Sequence, residues 1–334
     1  MIKMDAIQNI SPASFGRVGV FLGGKPRERV ISLKSGMAVY QALKNAGLDV
    51  ILIDTANGFH SKIKHGFIDL AFLALHGRGG EDGTVQRFLA RRRIPYAGSN
   101  AKASALAFDK IRAKKLFLKH GIPTPDFDVL TQKNWKTKIR KWDPPYVIKP
   151  SSEGSSIGVF FVEHGQIKAK QIQASLKYYP RLLVEKMIKG REFTAGILGE
   201  KPLPVIELKP KRKFYDYKAK YTKGLTDYLI PAPVSSELAY QLQTIALKVH
   251  KILGLRDLSR IDFKVDSFNQ PYVLEANSIP GFTETSLLPK AAREIGIDFT
   301  KLCLKLLKMA QKRQRRGEEN AKATLAEMEP QMVS

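Results

Sequence analysis

The sequence predicts an α/β fold in its N-terminal third and a mixed α+β fold beyond it. Three short apolar runs of strand length occur early, in "RVGVFLGG", "LDVILID" and "IDLAFLALHG". Helix-like segments separate or follow them, and such alternation indicates a parallel sheet. After about residue 98 the alternation is lost, although strands and helices are still predicted. A chain of 334 residues has room for two or three domains.

The N-terminal elements follow in order. "RVGVFLGG" predicts a buried strand that ends at Gly23 and Gly24. "SGMAVYQALKNAGLDVILID" predicts an amphipathic helix, a stop at Gly47 and a second strand. "IDLAFLALHG" predicts a third strand and "TVQRFLARRRI" the helix after it. We expect this first domain to end near Gly98.

The middle and C-terminal elements are less regular. One helix is expected over residues 104–120, and strands in "PYVIKP", "GVFFVEHG" and "RLLVEKMI". "REFTAGILGEKPLPVIEL" predicts a hairpin with Gly199 at its turn, and "SSELAYQLQTIALKVHKILG" a long helix. "LSRIDFKVDSFNQPYVLEANS" predicts a second hairpin. A last helix is expected over residues 298–311, and the polar tail after it is expected to be disordered or a fraying helix.

Composition limits the classes of function. The net charge of +25 is spread along the chain, as on a solvated surface, so a nucleic-acid-binding function is not favoured. The one cysteine, Cys303, lies in a leucine-rich helical stretch and is expected to be a buried thiol without a disulfide. The early apolar run is too short for a signal peptide, and no stretch has the length of a membrane span. A soluble cytoplasmic protein is therefore expected.

Both strands of the second predicted hairpin carry acidic residues. Arg260 and Asp262 share one face of the first strand, and Glu275 and Asn277 share one face of the second. If the strands pair, Asp262, Glu275 and Asn277 converge as hard oxygen ligands suited to Mg²⁺ held with nucleotide phosphates. The alternative is a polar, solvated sheet face.

The stretch "IKPSSEGSSIGV" predicts a phosphate-binding loop. Lys149 closes a strand, and the serines and glycines after it offer hydroxyl and backbone N–H groups to phosphate oxygens. Lys110 follows Asp109 in a predicted helix, where a surface lysine is the simpler interpretation. The chain has no Walker A loop, and the glycines of residues 77–83 do not have the Rossmann spacing.

Six stretches together carry a family resemblance. They are "ALHGRGGEDGTVQ", "PYAGSNAKASALAFDK", "VIKPSSEGSSIGV", "EKMIKGREFTAGILG", "FYDYKAKY" and "RIDFKVDSFNQPYVLEANSIPGFTETSLLPKAA". In this order they resemble the D-alanine–D-alanine ligases of the ATP-grasp superfamily, over residues 18–309. The resemblance implies a three-domain ATP-grasp fold with a Rossmann-like parallel sheet domain at its N-terminus. The expected divisions are residues 1–98 (N-terminal domain), 99–184 (central ATP-grasp subdomain), 185–311 (C-terminal ATP-grasp and catalytic domain) and 312–334 (polar tail).

The resemblance implies a nucleotide site. The loop is then a lid over the triphosphate of ATP, and the chain between Glu185 and Ile188 a hinge that receives adenine. Two Mg²⁺ ions, for which Mn²⁺ could substitute, are expected on Asp262, Glu275 and Asn277. The residues implied in ATP binding are Lys110, Lys149, Ser155, Ser156, Glu185, Lys186, Ile188, Glu192 (ribose), Lys220 (γ-phosphate) and Asn277.

The resemblance also implies how two D-alanines are joined. The carboxylate of the first attacks the γ-phosphate, and the amine of the second attacks the resulting acylphosphate. The residues implied in this chemistry are Glu28 (ammonium of the first substrate), Arg260 and the Gly281 N–H (oxyanion), Ser286 with the Leu287 N–H (carboxylate of the second), and Ser155 and Tyr221 (a latch of the lid toward Glu28). His76 and Glu81 are expected near the second substrate, with a structural role as the alternative.

Some of these residues also have simpler interpretations. Tyr221 could pack on a core, Glu28 could form a surface ion pair with its arginine neighbours, and Ser286 could cap a helix. The sequence departs from the family pattern at Val30, where a second acid is usual, and at Met187, where an aromatic residue is frequent.

The resemblance predicts that the protein synthesises D-alanyl-D-alanine for peptidoglycan precursors. By analogy with the family, the enzyme is expected to be a homodimer. One alternative is a related ligase that forms D-Ala–D-Ser or D-Ala–D-lactate, although Tyr221 argues against lactate. Another is a binding protein that uses its basic surface.

Overall fold

The structure, a computed structural model, describes residues 12–328 except 25–27, 57, 65, 165–168, 213–221 and 223. Its first layer is a parallel three-stranded sheet of order β2-β1-β3, with all three predicted strands in place. Strand β1 is buried throughout, which fits its continuous apolar sequence. The elements are a 3₁₀ turn at Pro12–Phe15, β1 Val18–Leu22, α1 Arg29–Asn45, β2 Val50–Asp54, α2 Phe59–Lys62, β3 Leu70–Leu73 and α3 Thr84–Arg91.

The helix predicted over residues 104–120 is in fact two helices. They are α4, Ala101–Phe108, and α5, Lys110–Lys119. Asp109 stands between them with extended backbone angles, and its carboxylate accepts hydrogen bonds from the backbone N–H groups of Ile111 and Arg112. The prediction of one continuous helix is therefore wrong, because Asp109 acts as an N-cap rather than as a helical residue. The break places Lys110 at the first position of α5.

A four-stranded antiparallel sheet of order β4-β7-β5-β6 forms the second layer. Strand β7 crosses the division expected after residue 184. Residues 151–158, here called the lid loop, connect β5 to β6. The elements of this layer are β4 Phe127–Leu130, α6 Trp135–Ile139, β5 Tyr146–Pro150, β6 Phe160–Val162, α7 Ala169–Tyr178 and β7 Leu182–Lys186.

The third layer is a six-stranded sheet in which β11-β10-β8-β12-β13 are consecutive and β9 pairs with β8. Both predicted hairpins are present: β8 and β9 turn at Gly199, which has a positive φ of 65°, and β12 pairs with β13. The elements are β8 Arg191–Leu198, β9 Lys201–Pro202, β10 Ile206–Pro210, β11 Thr226–Leu229, α8 Ser236–Ile252, β12 Leu258–Val265 and β13 Pro271–Asn277.

Two helices complete the described chain, α9 Leu287–Glu294 and α10 Phe299–Met328. The sequence predicted a helix over residues 298–311 and, after it, a tail that is either disordered or a fraying helix. The helix in fact continues to Met328, which agrees with the second alternative. The added segment is rich in Ala, Glu, Lys, Arg and Gln, which favour helix, and it contains no proline. Arg313 anchors α10 by an ion pair with Asp257 and a 2.9 Å hydrogen bond to the Tyr96 carbonyl.

The largest core cluster joins the parallel sheet to the C-terminal helices. It includes Val20 and Phe72 of the first sheet together with Leu302 and Leu306 of α10. Cys303 is buried in the same cluster, as expected, and burial raises the pKa of its thiol. Among the described residues, no helix is both long and apolar enough to cross a membrane.

Candidate active site

Two adjoining cavities lie between the parts of the chain that contain the three sheets. The nucleotide cavity, named for its predicted occupant, has a volume of about 420 Å³ and is lined by β5, β7, β12, β13 and the lid loop. The substrate cavity, of about 370 Å³, is lined by α1, β12, β13 and the start of α9. Gly154 and Glu275 line both cavities, so the two spaces share a wall.

Almost every described residue predicted to contact ATP lines the nucleotide cavity. Its wall includes Lys110, Lys149, Ser156, Glu185, Lys186, Ile188 and Glu192, as well as the metal candidates Asp262 and Glu275. Met187, at the position where the family often has an aromatic residue, is part of the same wall. The other two, Ser155 and Asn277, line the substrate cavity.

Glu185 is the centre of a buried charge network beside this cavity. Its carboxylate forms ion pairs with Lys149 and, at 3.0 Å, with Lys114. Burial by itself raises the pKa of Glu185, but the charges of the two lysines outweigh burial and the pKa lies below its ordinary value. Burial, opposed by Glu185 and assisted by Lys149, lowers the pKa of Lys114 to about 8. Glu185 is therefore held as a carboxylate in spite of its burial.

The acid hairpin has the register that the sequence predicted. Asp262 is paired with Glu275 and Arg260 with Asn277, and a bulge follows Asp262. The Asp262 carboxylate accepts hydrogen bonds from Arg260 Nε at 2.8 Å, Thr194 Oγ1 at 2.7 Å and Asn277 Nδ2 at 3.1 Å. The hairpin therefore brings two carboxylates and one amide to the same point of the sheet.

This donor set fits a divalent metal ion. Glu275 pairs with Lys110 at 3.0 Å, so each carboxylate now has a cation as partner that a metal ion could replace. No group of three His, Cys, Asp or Glu side chains suited to a metal occurs among the described residues. The third ligand would be an amide oxygen, which Mg²⁺ accepts but transition metals do not favour. The predicted set Asp262, Glu275 and Asn277 thus remains a magnesium candidate.

The lid loop contacts both neighbouring layers. Ser155 Oγ donates a short hydrogen bond to Glu28, and Lys110 Nζ donates a 2.7 Å bond to the Glu153 carbonyl. Arg78, more than half exposed, lies 3.6 Å from the Glu153 carboxylate. Ser155 has a positive φ of 51°, a conformation that is uncommon outside glycine. The loop is thus closed over the junction of the two cavities.

Glu28 is buried and does not form a surface ion pair with Arg29. Its side chain is 5% exposed, and the neighbouring Arg29 pairs with Asp54 at 2.6 Å instead. Burial raises the pKa of Glu28, while the hydrogen bond from Ser155 opposes that rise. A buried carboxylate that faces a cavity is suited to bind an ammonium group.

His76 and Glu81 lie in the wall of the substrate cavity with strongly shifted pKa values. Burial lowers the pKa of His76 to about 4, so its ring is neutral at pH 7, and Nε2 lies 3.2 Å from Ser35 Oγ. Burial, followed by the charge of Glu28, raises the pKa of Glu81 to about 8. Glu81 accepts a 2.8 Å hydrogen bond from the Gly77 N–H and so also shapes the glycine loop.

Ser286 and Gly281 are neighbours in the wall of the substrate cavity, where a Cβ at Gly281 would lie 3.4 Å from Ser286 Oγ. Ser286 occupies the N-cap position of α9, but its hydroxyl makes no capping hydrogen bond to that helix. It accepts a 3.0 Å bond from the Thr283 N–H instead. The N-cap interpretation therefore fits the backbone position of Ser286 but not its side chain. Val30, the departure from the family pattern, also lines this cavity.

Two predicted residues lie outside the described part of the chain, Lys220 and Tyr221. Sequence reasoning also missed residues that the structure places in the site, namely Lys114, Thr194 and Ser35. Lys114 follows Lys110 by four residues, so helical spacing could have indicated a shared face. That spacing would not have shown the burial of Lys114, which depends on Glu185 and Thr124 from other elements.

Comparison with known proteins identifies the family. Residues 54–99 match the family described as D-ala D-ala ligase N-terminus, and residues 116–308 match D-ala D-ala ligase C-terminus. A D-alanine–D-alanine ligase of Desulforamulus reducens is 44% identical over 307 residues, covering 88% of this chain and 98% of the relative. One of Aquifex aeolicus is 44% identical over 288 residues, covering 86% and 98%.

Solved structures agree with this result. The D-alanine–D-alanine ligase of Bacillus anthracis complexed with ATP has a TM-score of 0.80 at 31% identity, covering 90% of this chain and 99% of that one. The VanG D-Ala:D-Ser ligase of Enterococcus faecalis has a TM-score of 0.77 at 28% identity, covering 88% and 99%. The predicted ATP-grasp fold is thereby confirmed. The chain belongs to the D-alanine–D-alanine ligase family.

Proposed function

We propose that this chain is an ATP-dependent ligase that joins two D-alanines into D-alanyl-D-alanine for peptidoglycan precursors. The observation that carries the proposal is the shared wall of the two cavities. The lysines and acids proposed to hold phosphates and metal line one side, while the carboxylate proposed to bind ammonium and the proposed oxyanion donors line the other. A phosphoryl donor and an amino acid can therefore meet at Glu275 and Gly154, as carboxylate phosphorylation requires.

The nucleotide cavity holds ATP in this proposal. The lysines Lys110 and Lys149 approach the phosphates, the chain from Glu185 to Ile188 receives adenine, and Glu192 binds the ribose. Ser155 and Ser156 of the lid loop cover the triphosphate. Lys220, beyond the described residues, is proposed to reach the γ-phosphate.

Mg²⁺ is the metal ion that the donor set favours, with Asp262, Glu275 and Asn277 as ligands. When bound, it would neutralise charge on the transferring phosphoryl group. Within the chain itself, Arg260 now holds Asp262 in place, and Thr194 supports the same carboxylate from the neighbouring strand. These contacts fix the position of the Asp262 carboxylate.

Both D-alanines bind in the substrate cavity, and they react in two successive steps. Glu28 holds the ammonium group of the first D-alanine, whose carboxylate attacks the γ-phosphate and releases ADP. The amine of the second D-alanine attacks the acyl carbon, and phosphate leaves. Arg260 and the Gly281 N–H stabilise the oxyanion of this step. Ser286, with the Leu287 N–H, is proposed to bind the carboxylate of the second substrate.

Water exclusion is the function we assign to the closed lid loop. An acylphosphate is readily hydrolysed, so the reaction needs a closed site. Ser155 links the loop to Glu28, and Tyr221 is proposed to join this latch. His76 is neutral, and with Glu81 it forms the cavity wall beside the second substrate, a position that fits binding better than charge stabilisation.

D-alanine is favoured as the second substrate over D-serine. The relatives at 41–44% identity are D-alanine–D-alanine ligases, and among the solved structures the D-alanine–D-alanine ligase of Bacillus anthracis is 31–34% identical against 28% for the D-Ala:D-Ser ligase. A cytoplasmic location, a homodimer and the division into domains stay predictions.

The test measures ADP release together with the mass of the product. The protein receives ATP and Mg²⁺ with D-alanine, with L-alanine, or with D-alanine plus D-serine or D-lactate. We expect ADP and a D-Ala–D-Ala mass with D-alanine alone, and none with L-alanine. A mixed product formed in preference would move the assignment to the variant ligases, and no ADP with any substrate would contradict a ligase function.

A further inference from the structure

A completely buried lysine supports the nucleotide cavity from behind. Lys114 has no exposed surface and lies one helical turn after Lys110 on α5. Its ammonium group forms the 3.0 Å ion pair with Glu185 and donates a 2.5 Å hydrogen bond to Thr124 Oγ1. Thr124 in turn donates a 2.7 Å bond to the Val273 carbonyl of β13. Burying a lysine is costly, so the position calls for an explanation.

The charges around Glu185 suggest an explanation for the burial of Lys114. Glu185 Oε1 faces Lys149, which lines the nucleotide cavity, and Oε2 faces Lys114, which does not line it. A phosphate in the cavity competes with Glu185 for Lys149. Without a second cation, the departure of Lys149 would leave a buried carboxylate unpaired, which costs more than the new contact gives. Lys114 is placed to prevent this.

We infer that Lys114 is a positioning residue for ATP binding, which balances Glu185 so that Lys149 is available to the triphosphate. The inference rests on the proposed role of this cavity as the ATP site. Lys114 does not line the cavity, and its ion pair with Glu185 is the contact that connects it to Lys149. Its hydrogen bond to Thr124 Oγ1, which does not line the cavity, holds the ammonium group beside Glu185.

The test compares Lys114→Met with Lys115→Met, because both remove one positive charge from α5 but Lys115 is exposed. Binding of ATP and of adenosine is measured by competition against a fluorescent ATP analogue, on protein whose folded state is checked by circular dichroism and thermal unfolding. We expect Lys114→Met to raise the Kd of ATP about ten- to hundredfold, the range of a charged hydrogen bond. Adenosine, which lacks phosphates, should lose at most about threefold, and Lys115→Met should bind both normally.

A double-mutant cycle with Glu185→Gln keeps the inference testable even if Lys114→Met is less stable. Glutamine cannot hold Lys149 by charge, so Lys114→Met should add almost nothing to the Kd of ATP in that background. Additive effects, or an equal loss for ATP and adenosine, would overturn the inference, because either would mean that Lys114 only stabilises the fold or the adenine pocket.

Dipeptide synthesis by the unmodified protein is measured separately. If ATP binding depends on Lys114 as expected while no dipeptide forms, the inference stands and the proposed function fails. If dipeptide forms while the ATP Kd of Lys114→Met equals that of Lys115→Met, the inference fails and the proposed function stands.

Discussion

Removing one hydroxyl from the lid loop should uncouple ATP consumption from dipeptide formation. Ser155 Oγ donates to Glu28, a side chain 5% exposed, so Ser155→Ala removes a hydrogen bond to a buried carboxylate. A bond of this kind contributes ~1.5–3 kcal/mol, which corresponds to about 10- to 150-fold in rate. Another lid contact, from Lys110 to the Glu153 carbonyl, keeps part of the closure, so a loss of about ten- to fiftyfold in kcat/KM for D-alanine is expected.

The assay follows ADP release and dipeptide mass in the same reaction. With a loosened lid, water reaches the acylphosphate, and the ratio of ADP to dipeptide should rise above that of the unmodified protein. Arg78→Ala is the matched control, because Arg78 also contacts the lid but is largely exposed and lies 3.6 Å from Glu153. The reasoning would be refuted if Arg78→Ala were as harmful as Ser155→Ala, or if Ser155→Ala lost rate with its ADP-to-dipeptide ratio unchanged.

The same variant should alter the pH dependence in a fixed direction. Burial raises the pKa of Glu28, the Ser155 hydrogen bond lowers it, and the nearby Glu153 raises it. Loss of the hydroxyl therefore moves the pKa of Glu28 upward. Because Glu28 must be ionised to hold an ammonium group, the acidic limb of kcat/KM should move to higher pH, and a limb that stayed in place or moved to lower pH would contradict this role.

Three further predictions concern other parts of the site and the core. Asp262→Asn and Glu275→Gln should each lower ADP release at least about a hundredfold at saturating ATP and Mg²⁺, because each removes a charged metal ligand; a rate near that of the unmodified protein would exclude the residue as a ligand. Gly154→Ala should raise the KM for D-alanine severalfold, since a Cβ there would lie 2.7 Å from the Glu28 carboxylate, and unchanged steady-state kinetics would show that the lid is elsewhere during turnover. Cys303, which is fully buried with a raised pKa, should resist alkylation by iodoacetamide until guanidinium unfolds the chain, and rapid labelling of the folded protein would contradict its burial.

The parts of the site that lie on paired strands could be predicted from the sequence. Arg260 and Asp262 are two residues apart, as are Glu275 and Asn277, and strand geometry alone places each pair on one face. A hairpin with a short turn then leaves few registers, and the observed register opposes Asp262 to Glu275. The two-residue periodicity of a strand and the pairing of two strands were therefore sufficient to predict this part of the site.

Features that depend on distant parts of the chain could not be predicted in this way. The break at Asp109 is fixed partly by Arg181, which pairs with its carboxylate at 2.8 Å from 72 residues away. The burial of Lys114 requires Glu185 and Thr124 to arrive from other elements. In both cases the local sequence favours the simpler alternative, a continuous helix or a surface lysine, and tertiary contacts decide against it.

Three basic residues of the site share one arrangement, because each is paired with an acidic residue. Lys110 pairs with Glu275, Lys149 with Glu185, and Arg260 with Asp262. In each pair the proposed function gives the basic residue an anionic partner, a phosphate or an oxyanion.

For the acids of two of these pairs, Glu275 and Asp262, the proposed new partner is Mg²⁺. Each of these basic residues thus has an acidic partner within the protein, and in the proposed function binding exchanges partners instead of burying new charges. Such an exchange avoids the large cost of an unpaired buried ion only if cation and nucleotide arrive together, because either alone would release one member of a pair without a replacement. In the third pair, Lys149 and Glu185, the acid has no proposed metal ion as its new partner. At the Lys149–Glu185 pair, Lys114 supplies the positive charge that Mg²⁺ would supply at the other two ion pairs. Lys114 therefore belongs to the same set of charge exchanges although it lines neither cavity.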